Sequence, residues 1–183
     1  AAALQSKKNI DDAVLLVLSA DHIIRNIEVF HQAINVATNQ AQKGKLVTFG
    51  IVPIDANTEY GYIKTSKKIT NGVYKVEEFV EKPDLIKAKS YLDKGNYLWN
   101  SGMFMFKAST LIEELTNYSP DIVKSASDAV NNAEKDFDFI RLDKKSFEAA
   151  PSDSIDYALM ENSHNGVVVP LDARWSDVGS WAT

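Results

Sequence analysis

Val14-Leu15-Leu16-Val17-Leu18-Ser19-Ala20-Asp21-His22 is the stretch around which the chain is organised. Val14 to Leu18 is unbroken apolar sequence, bounded by Asp11-Asp12 before it and Asp21-His22 after it. A run without polar alternation reads as a strand buried on both faces, as in the middle of a parallel sheet; the alternative is a short buried helix. Its shortness, its two valines and the charges at both ends favour the strand. In open α/β sheets ligands bind beyond the carboxyl ends of central strands. Asp21 stands at that end, where a cation that prefers oxygen ligands can be held. The plainer reading is that Asp21 begins a turn or caps the following helix.

Working outward, Ile27 to Gln42 carries apolar residues at 27, 30, 34, 37 and 41, the spacing of one helix face. Asn26 is placed to cap it, Glu28 suits its first turn, Lys43 its last, and Gly44 its stop. Lys45–Val52 reads as a second apolar strand ended by Pro53, so strand, helix and strand form a βαβ unit. Before this unit, Ala1-Ala2-Ala3-Leu4 reads as the tail of a helix.

Beyond it, Asn71-Gly72 marks a hairpin turn ahead of the alternating strand Val73–Val80. That strand runs into Glu81-Lys82-Pro83, and Asp84 caps a helix reaching about Leu92. Proline at 83 predicts an extended backbone at Lys82. In Tyr97–Lys107 the triplet Asn100-Ser101-Gly102 interrupts an aromatic run, as where backbone approaches a ligand. Helices follow at Ser109–Asn117 and from Asp121 to about Ala133, with a further helix and connections in Asp136–Ala150. Ser154 caps a short helix, Ile155–Glu161; Gly166–Pro170 is a strand and Arg174-Trp175 a shorter one. No repeat or linker divides the chain, which is read as one domain over 1–183.

The chain of 183 residues is 45% hydrophobic and 25% charged with net charge -5, enough for a sizeable core. No basic cluster stands clear of acidic neighbours, so no nucleic-acid partner is expected. No run approaches the ~20 apolar residues that span a bilayer, so no membrane partner is expected either. The chain has no cysteine, which removes disulfides, thiolate metal sites and a cysteine nucleophile and fits a reducing, cytoplasmic setting.

Phosphate-cradling glycine motifs of the G-x-G-x-x-G and P-loop kinds, zinc-protease and serine-hydrolase motifs are all absent from these residues. What remains is polar chemistry at the ends of apolar segments. Asp21 and Asp177 each follow a strand, and Mg²⁺ is commonly held by one or two carboxylates plus substrate phosphates. Lys82 is a point charge able to hold a phosphate. Glu81 and Asn100 can bind sugar hydroxyls, while Gly61 and Gly102 let backbone amides approach. Each also has a plainer reading: Glu-Lys as an exposed pair, Asn-Ser-Gly as a turn, Asp177 as a turn residue. His22 reads as structural and His31 as surface.

Leu18-Ser19-Ala20-Asp21-His22, Tyr60-Gly61-Tyr62-Ile63, Phe79-Val80-Glu81-Lys82-Pro83, Tyr97-Leu98-Trp99-Asn100-Ser101-Gly102-Met103-Phe104, Ser154-Ile155-Asp156-Tyr157-Ala158 and Trp175-Ser176-Asp177-Val178-Gly179-Ser180-Trp181 occur in this order. Together they resemble the sugar nucleotidyltransferases, and among them the mannose-1-phosphate guanylyltransferase branch. The Glu-Lys-Pro motif marks the broad family; the Trp-Asn-Ser-Gly-Met-Phe and Asp-Val-Gly-Ser-Trp motifs are narrower. The resemblance implies a Rossmann-like three-layer α/β fold with a mainly parallel sheet. It implies GMP transfer from GTP to mannose 1-phosphate, with Mg²⁺ as cofactor, giving GDP-mannose and pyrophosphate. Asp21 and Asp177 match the metal-binding aspartates, Lys82 the lysine on the sugar phosphate, and Gly61, Glu81 and Asn100 positions lining the sugar. Gly102 and Asp156 lie in matching motifs. The family's glycine-rich loop with Gly-Thr-Arg-Leu does not occur here. The chain is therefore expected to be the interior of the catalytic domain, truncated at both ends and inactive alone. An open sheet edge then favours a homo-oligomer. The competing expectations are a uridylyl- or thymidylyltransferase acting on glucose 1-phosphate, and a catalytically silent binding module.

Overall fold

The computed structural model describes residues 1–10 and 12–177; Asp11 and the Val178–Trp181 part of the last motif lie outside the described residues. The chain packs as two compact units, residues 1–15 with 107–163 and residues 16–106 with 164–183.

In the larger unit the strands are β1 (Val14–Val17, entering from the smaller unit), β2 (Ile23–Ile24), β3 (Leu46–Ile51), β4 (Tyr62–Thr70), β5 (Val73–Val80) and β6 (Tyr97–Lys107). A further strand of the same sheet, Gly166–Pro170, comes from much later in the chain. The six-stranded sheet runs in the order β1, β6, β3, Gly166–Pro170, β5, β4, with β6 also meeting β4. The α/β class expected from sequence holds, but the parallel character does not. Gly166–Pro170 runs parallel to β3, whereas β3–β6, β4–β5, β4–β6 and β5 with Gly166–Pro170 are antiparallel. The hairpin β4–β5 and the long strand β6 supply this antiparallel share. β1 is likewise a strand but not a central one. It lies first in the sheet order, and Val17 and Leu18 are 43% and 48% exposed, because a strand at the edge of the described sheet lacks a neighbour on one side.

Helix α1 (Ala2–Asn9) belongs to the smaller unit, and helix α2 (Ile27–Gln42) covers β3 and the strand Gly166–Pro170 in the larger one. The limits of α2 are those its apolar spacing predicts, with Asn26 Oδ1 accepting from Val29 N at 3.2 Å. Its small inner residues, Ala33, Ala37 and Ala41, let it sit close on the sheet, and Phe30 meets Phe49 across the interface. Gly72 takes φ +73 in the predicted hairpin turn. Helix α3 (Leu85–Lys94) is capped by Asp84, whose Oδ1 accepts from Lys87 N at 2.9 Å. Its Ala88 and Tyr91 bury Tyr62, Tyr97 and Trp99.

In the smaller unit α1 packs on α4 (Ala108–Tyr118) and α5 (Pro120–Asn131), and α5 on α6 (Lys144–Glu148). α6 is the helix expected within Asp136–Ala150, and the segment before it is a short hairpin, β7 (Glu134–Asp136) with β8 (Phe139–Arg141). The helix predicted at Ile155–Glu161 is a π-helical turn, Asp156–Met160, closed by Glu161 N on Asp156 O at 2.9 Å. The strands of the larger unit are completed by β9 (Gly166–Pro170) and β10 (Trp175–Ser176). Among the described residues no helix is long and apolar enough to cross a membrane.

Candidate functional site

The site residues of the larger unit gather where β4, β5, β6 and β10 end or bend. The link between β3 and β4 finishes at Tyr60-Gly61, and Gly61 O accepts from Asn100 N of β6 at 2.7 Å. Glu81 follows β5 directly, and its carboxylate lies against Gly61. A Cβ built on Gly61 would stand 2.4 Å from Glu81 Oε2 and 3.2 Å from Asn100 Cβ. Gly61 is thus glycine for a close approach; it is not among the residues with left-handed backbone.

Asn100 and Gly102 owe their placement to a bulge in β6. Thr48 pairs with Phe104 but Gly50 pairs with Asn100, so β6 carries extra residues across from Phe49. Ser101 fills the bulge, its Oγ donating to Phe49 O at 2.6 Å and accepting from Met103 N at 3.3 Å. Gly102 has φ +69, a backbone that favours glycine. Asn100 Oδ1 accepts from Gly102 N at 3.1 Å and from Thr48 Oγ1 at 3.3 Å, which fixes the plane of its amide. A Cβ on Gly102 would lie 3.9 Å from both His22 Cε1 and Ser19 Oγ, so the bulge faces the turn that carries Asp21.

Lys82 corrects an expectation. Its φ is +45, not extended. The chain turns sharply between the end of β5 and Pro83, which is buried, and the non-glycine residue there takes the strained conformation. Lys82 is exposed and enters no ion pair among the described residues.

Asp21 occupies the turn between β1 and β2, and Asp177 directly follows β10. β2 and β10 are antiparallel, with Trp175 opposite Ile24 and Ser176 opposite Ile23. The same register continued one residue brings Asp177 opposite His22, next in the chain to Asp21. Asp21 and Asp177, far apart in sequence, thus each lie just beyond the same end of the β2–β10 ladder. Among the described residues no three or more His, Cys, Asp or Glu side chains form a metal cluster. Asp156 belongs to the π-helical turn of the smaller unit.

Three aromatic residues near Asp177 escaped the sequence reading. Tyr60 donates its hydroxyl to Asp177 Oδ1 at 2.9 Å. Its ring meets Trp99 edge-on at 5.0 Å and Trp175 at 5.6 Å between centroids. Burial first, then the bond to Asp177 and the charges of Asp177 and Asp55, push the Tyr60 hydroxyl up to about 12, so it stays protonated and donates. Trp175 Nε1 donates to His22 Nδ1 at 3.2 Å, which leaves the imidazole proton on Nε2 when the ring is neutral. Tyr60, Trp99 and Trp175 also line a cavity of about 590 Å³ together with Asp55, Asp172 and Arg174. The available signal was the position of Tyr60 and Trp175 inside the quoted motifs, beside Gly61 and Asp177.

This arrangement offers a close-packed glycine beside a carboxylate and an oriented amide, a lysine that follows that carboxylate in the chain, and two aspartates just beyond one end of the β2–β10 ladder. A carboxylate and an amide are groups that hydroxyls hydrogen-bond, and a lysine is one that pairs with phosphate. The chain is 52% identical over 184 residues to a protein of Salmonella muenchen named mannose-1-phosphate guanylyltransferase, covering 100% of this chain and 39% of that one. Two solved structures share the fold. One, described as mannose-6-phosphate isomerase from Helicobacter pylori, matches with TM-score 0.85 at 38% identity, covering 96% of this chain and 68% of that one. The other, described as mannose-1-phosphate geranyltransferase from Thermus thermophilus, matches with TM-score 0.86 at 31% identity, covering 98% of this chain and 50% of that one. This chain therefore spans well under half the length of the curated relative. Residues 1–183 match the family described as nucleotidyl transferase, and with the site geometry and these identities the chain belongs to that family.

Proposed function

We propose that this chain is the sugar-phosphate-binding part of a mannose-1-phosphate guanylyltransferase. The protein carrying it transfers GMP from GTP to mannose 1-phosphate, with Mg²⁺, and releases pyrophosphate. The observation that carries the reading is the convergence of Gly61, Glu81 and Asn100, in a chain 52% identical to a relative of that name.

In this reaction a phosphate oxygen of mannose 1-phosphate attacks the α-phosphorus of GTP, one P–O bond forms, and the P–O bond to pyrophosphate breaks. The nucleophile is already ionised at neutral pH, so no general base is needed. The barrier lies in bringing two polyanions into line and stabilising charge at the reacting phosphorus. Lys82 holds the sugar phosphate by its charge. Glu81 accepts hydrogen bonds from the hexose hydroxyls, and Asn100, oriented by Thr48 and Gly102, fixes the ring's position. Gly61 keeps the floor of this pocket low enough for the ring to reach Glu81.

The donor set fits Mg²⁺. Asp21 and Asp177 would offer it hard carboxylate oxygens just beyond one end of the β2–β10 ladder, and a pair of carboxylates with substrate phosphates suffices for this ion. When bound, the ion supplies positive charge to the reacting phosphates. Soluble substrates are the only partners this reading requires.

The test is product formation by the protein carrying this chain, with GTP, UTP or dTTP offered against mannose 1-phosphate or glucose 1-phosphate. GDP-mannose as the preferred product is expected. Preference for UTP or dTTP with glucose 1-phosphate overturns the assignment, and binding of no sugar phosphate at millimolar ligand identifies a silent module.

A further inference from the structure

Tyr60 stands between the two halves of the site. Its hydroxyl reaches Asp177 Oδ1 at 2.9 Å, and its neighbour in the chain, Gly61, is tied to Asn100 and packed on Glu81. Its ring has little freedom, being held edge-on by Trp99 and Trp175. Trp175 is held in turn, by the β2–β10 pairing and by its bond to His22, the residue after Asp21. The hydroxyl is therefore presented to Asp177 from a fixed platform. Outer partners of metal-binding carboxylates orient the ligand and tune the affinity of the ion.

We propose that Tyr60 is a positioning residue for the divalent cation: by donating to Asp177 Oδ1 it would hold the carboxylate in one orientation for the ion. The inference rests on the reading of Asp21 and Asp177 as cation ligands and adds to it a residue that touches neither the ion nor the sugar. Because Tyr60 and Gly61 are consecutive, the same platform links the sugar pocket to the cation. Any coupling between the two is reciprocal.

The experiment measures Mn²⁺ binding by calorimetry and by water-proton relaxation in the wild-type protein and in Tyr60→Phe, with and without mannose 1-phosphate. Phenylalanine keeps the ring and its packing and removes only the hydroxyl. Tyr60→Phe should weaken Mn²⁺ binding about 10- to 100-fold, the range for loss of an outer-shell partner. Affinity for mannose 1-phosphate measured without cation should stay at the wild-type value. Wild-type Mn²⁺ affinity in Tyr60→Phe overturns the inference while leaving the cation reading intact. Equal losses of cation and of cation-free sugar-phosphate affinity show a structural role only, and also overturn it. If the wild-type protein binds no Mn²⁺, the reading of Asp21 and Asp177 fails and this inference falls with it.

Discussion

Adding one methyl group at Gly61 is the sharpest perturbation of the sugar pocket. In Gly61→Ala the new Cβ would meet Glu81 Oε2 at 2.4 Å, and ordinary contact begins at 3.4 Å, so one of them must retreat by about 1 Å. Asn100 Cβ, at 3.2 Å, is on a strand whose N–H bonds Gly61 O at 2.7 Å, so it gives little. The Glu81 carboxylate is the end of a flexible side chain and moves instead. The backbone contributes no strain, since Gly61 is not in the left-handed region. The loss is thus that of a misplaced hydrogen bond to a charged group, about 1.5–3 kcal/mol. At about 1.4 kcal/mol per factor of ten, this is roughly 10- to 150-fold in sugar-phosphate affinity. Calorimetry with mannose 1-phosphate reads it, and circular dichroism checks that the fold is kept. The double-mutant cycle with Glu81→Ala isolates the cause: in that background Gly61→Ala should add nothing. Wild-type affinity in Gly61→Ala, or the same loss with Glu81 already removed, refutes the reasoning.

Lys82→Gly should relieve the φ of +45 and raise stability to urea by about 1 kcal/mol, while lowering sugar-phosphate affinity as much as Lys82→Ala does. In Lys82→Ala the apparent KM should rise more for the sugar phosphate than for GTP; the reverse moves Lys82 to the nucleotide. Tyr60 and Tyr97 are both raised to about 12 by burial and by neighbouring carboxylates, so tyrosinate absorbance should show a late phase that Tyr60→Phe and Tyr97→Phe each reduce. Because these folded-state values lie above the unfolded one, their stabilisation is fully present below pH 10 and is lost as pH rises towards 12. A single alkaline phase at the ordinary tyrosine value contradicts this. Asp84→Ala removes the cap of α3 and should cost about 1 kcal/mol, seen as a fall in Tm of about 2–4 °C.

Local chemistry was legible in the sequence. Asn26 and Asp84 cap the helices they precede, and Asn71-Gly72 turns the hairpin, because each effect is decided within a few residues. The place of β1 was not, since an apolar run does not reveal whether a neighbour lies on each side. The sheet's antiparallel share was hidden for a related reason: β6 inserts between β1 and β3 from far along the chain. At Lys82 the pre-proline rule lost to the tight turn between β5 and buried Pro83. The grouping of Gly61, Glu81 and Asn100 followed from the motifs, but the contacts of Tyr60 with Asp177 and Trp175 with His22 span 117 and 153 residues. No spacing rule reaches that far, and only the fold puts a carboxylate beside Tyr60 and an imidazole beside Trp175.

Diffraction from crystals of the protein soaked with mannose 1-phosphate and Mn²⁺, with the ion located by its anomalous signal, would show where the cation and the sugar bind. Mn²⁺ ligated by both Asp21 and Asp177, phosphate on Lys82, and the hexose against Gly61, Glu81 and Asn100 are the expected result. Mn²⁺ bound away from either aspartate, or the sugar seated outside that pocket, contradicts it.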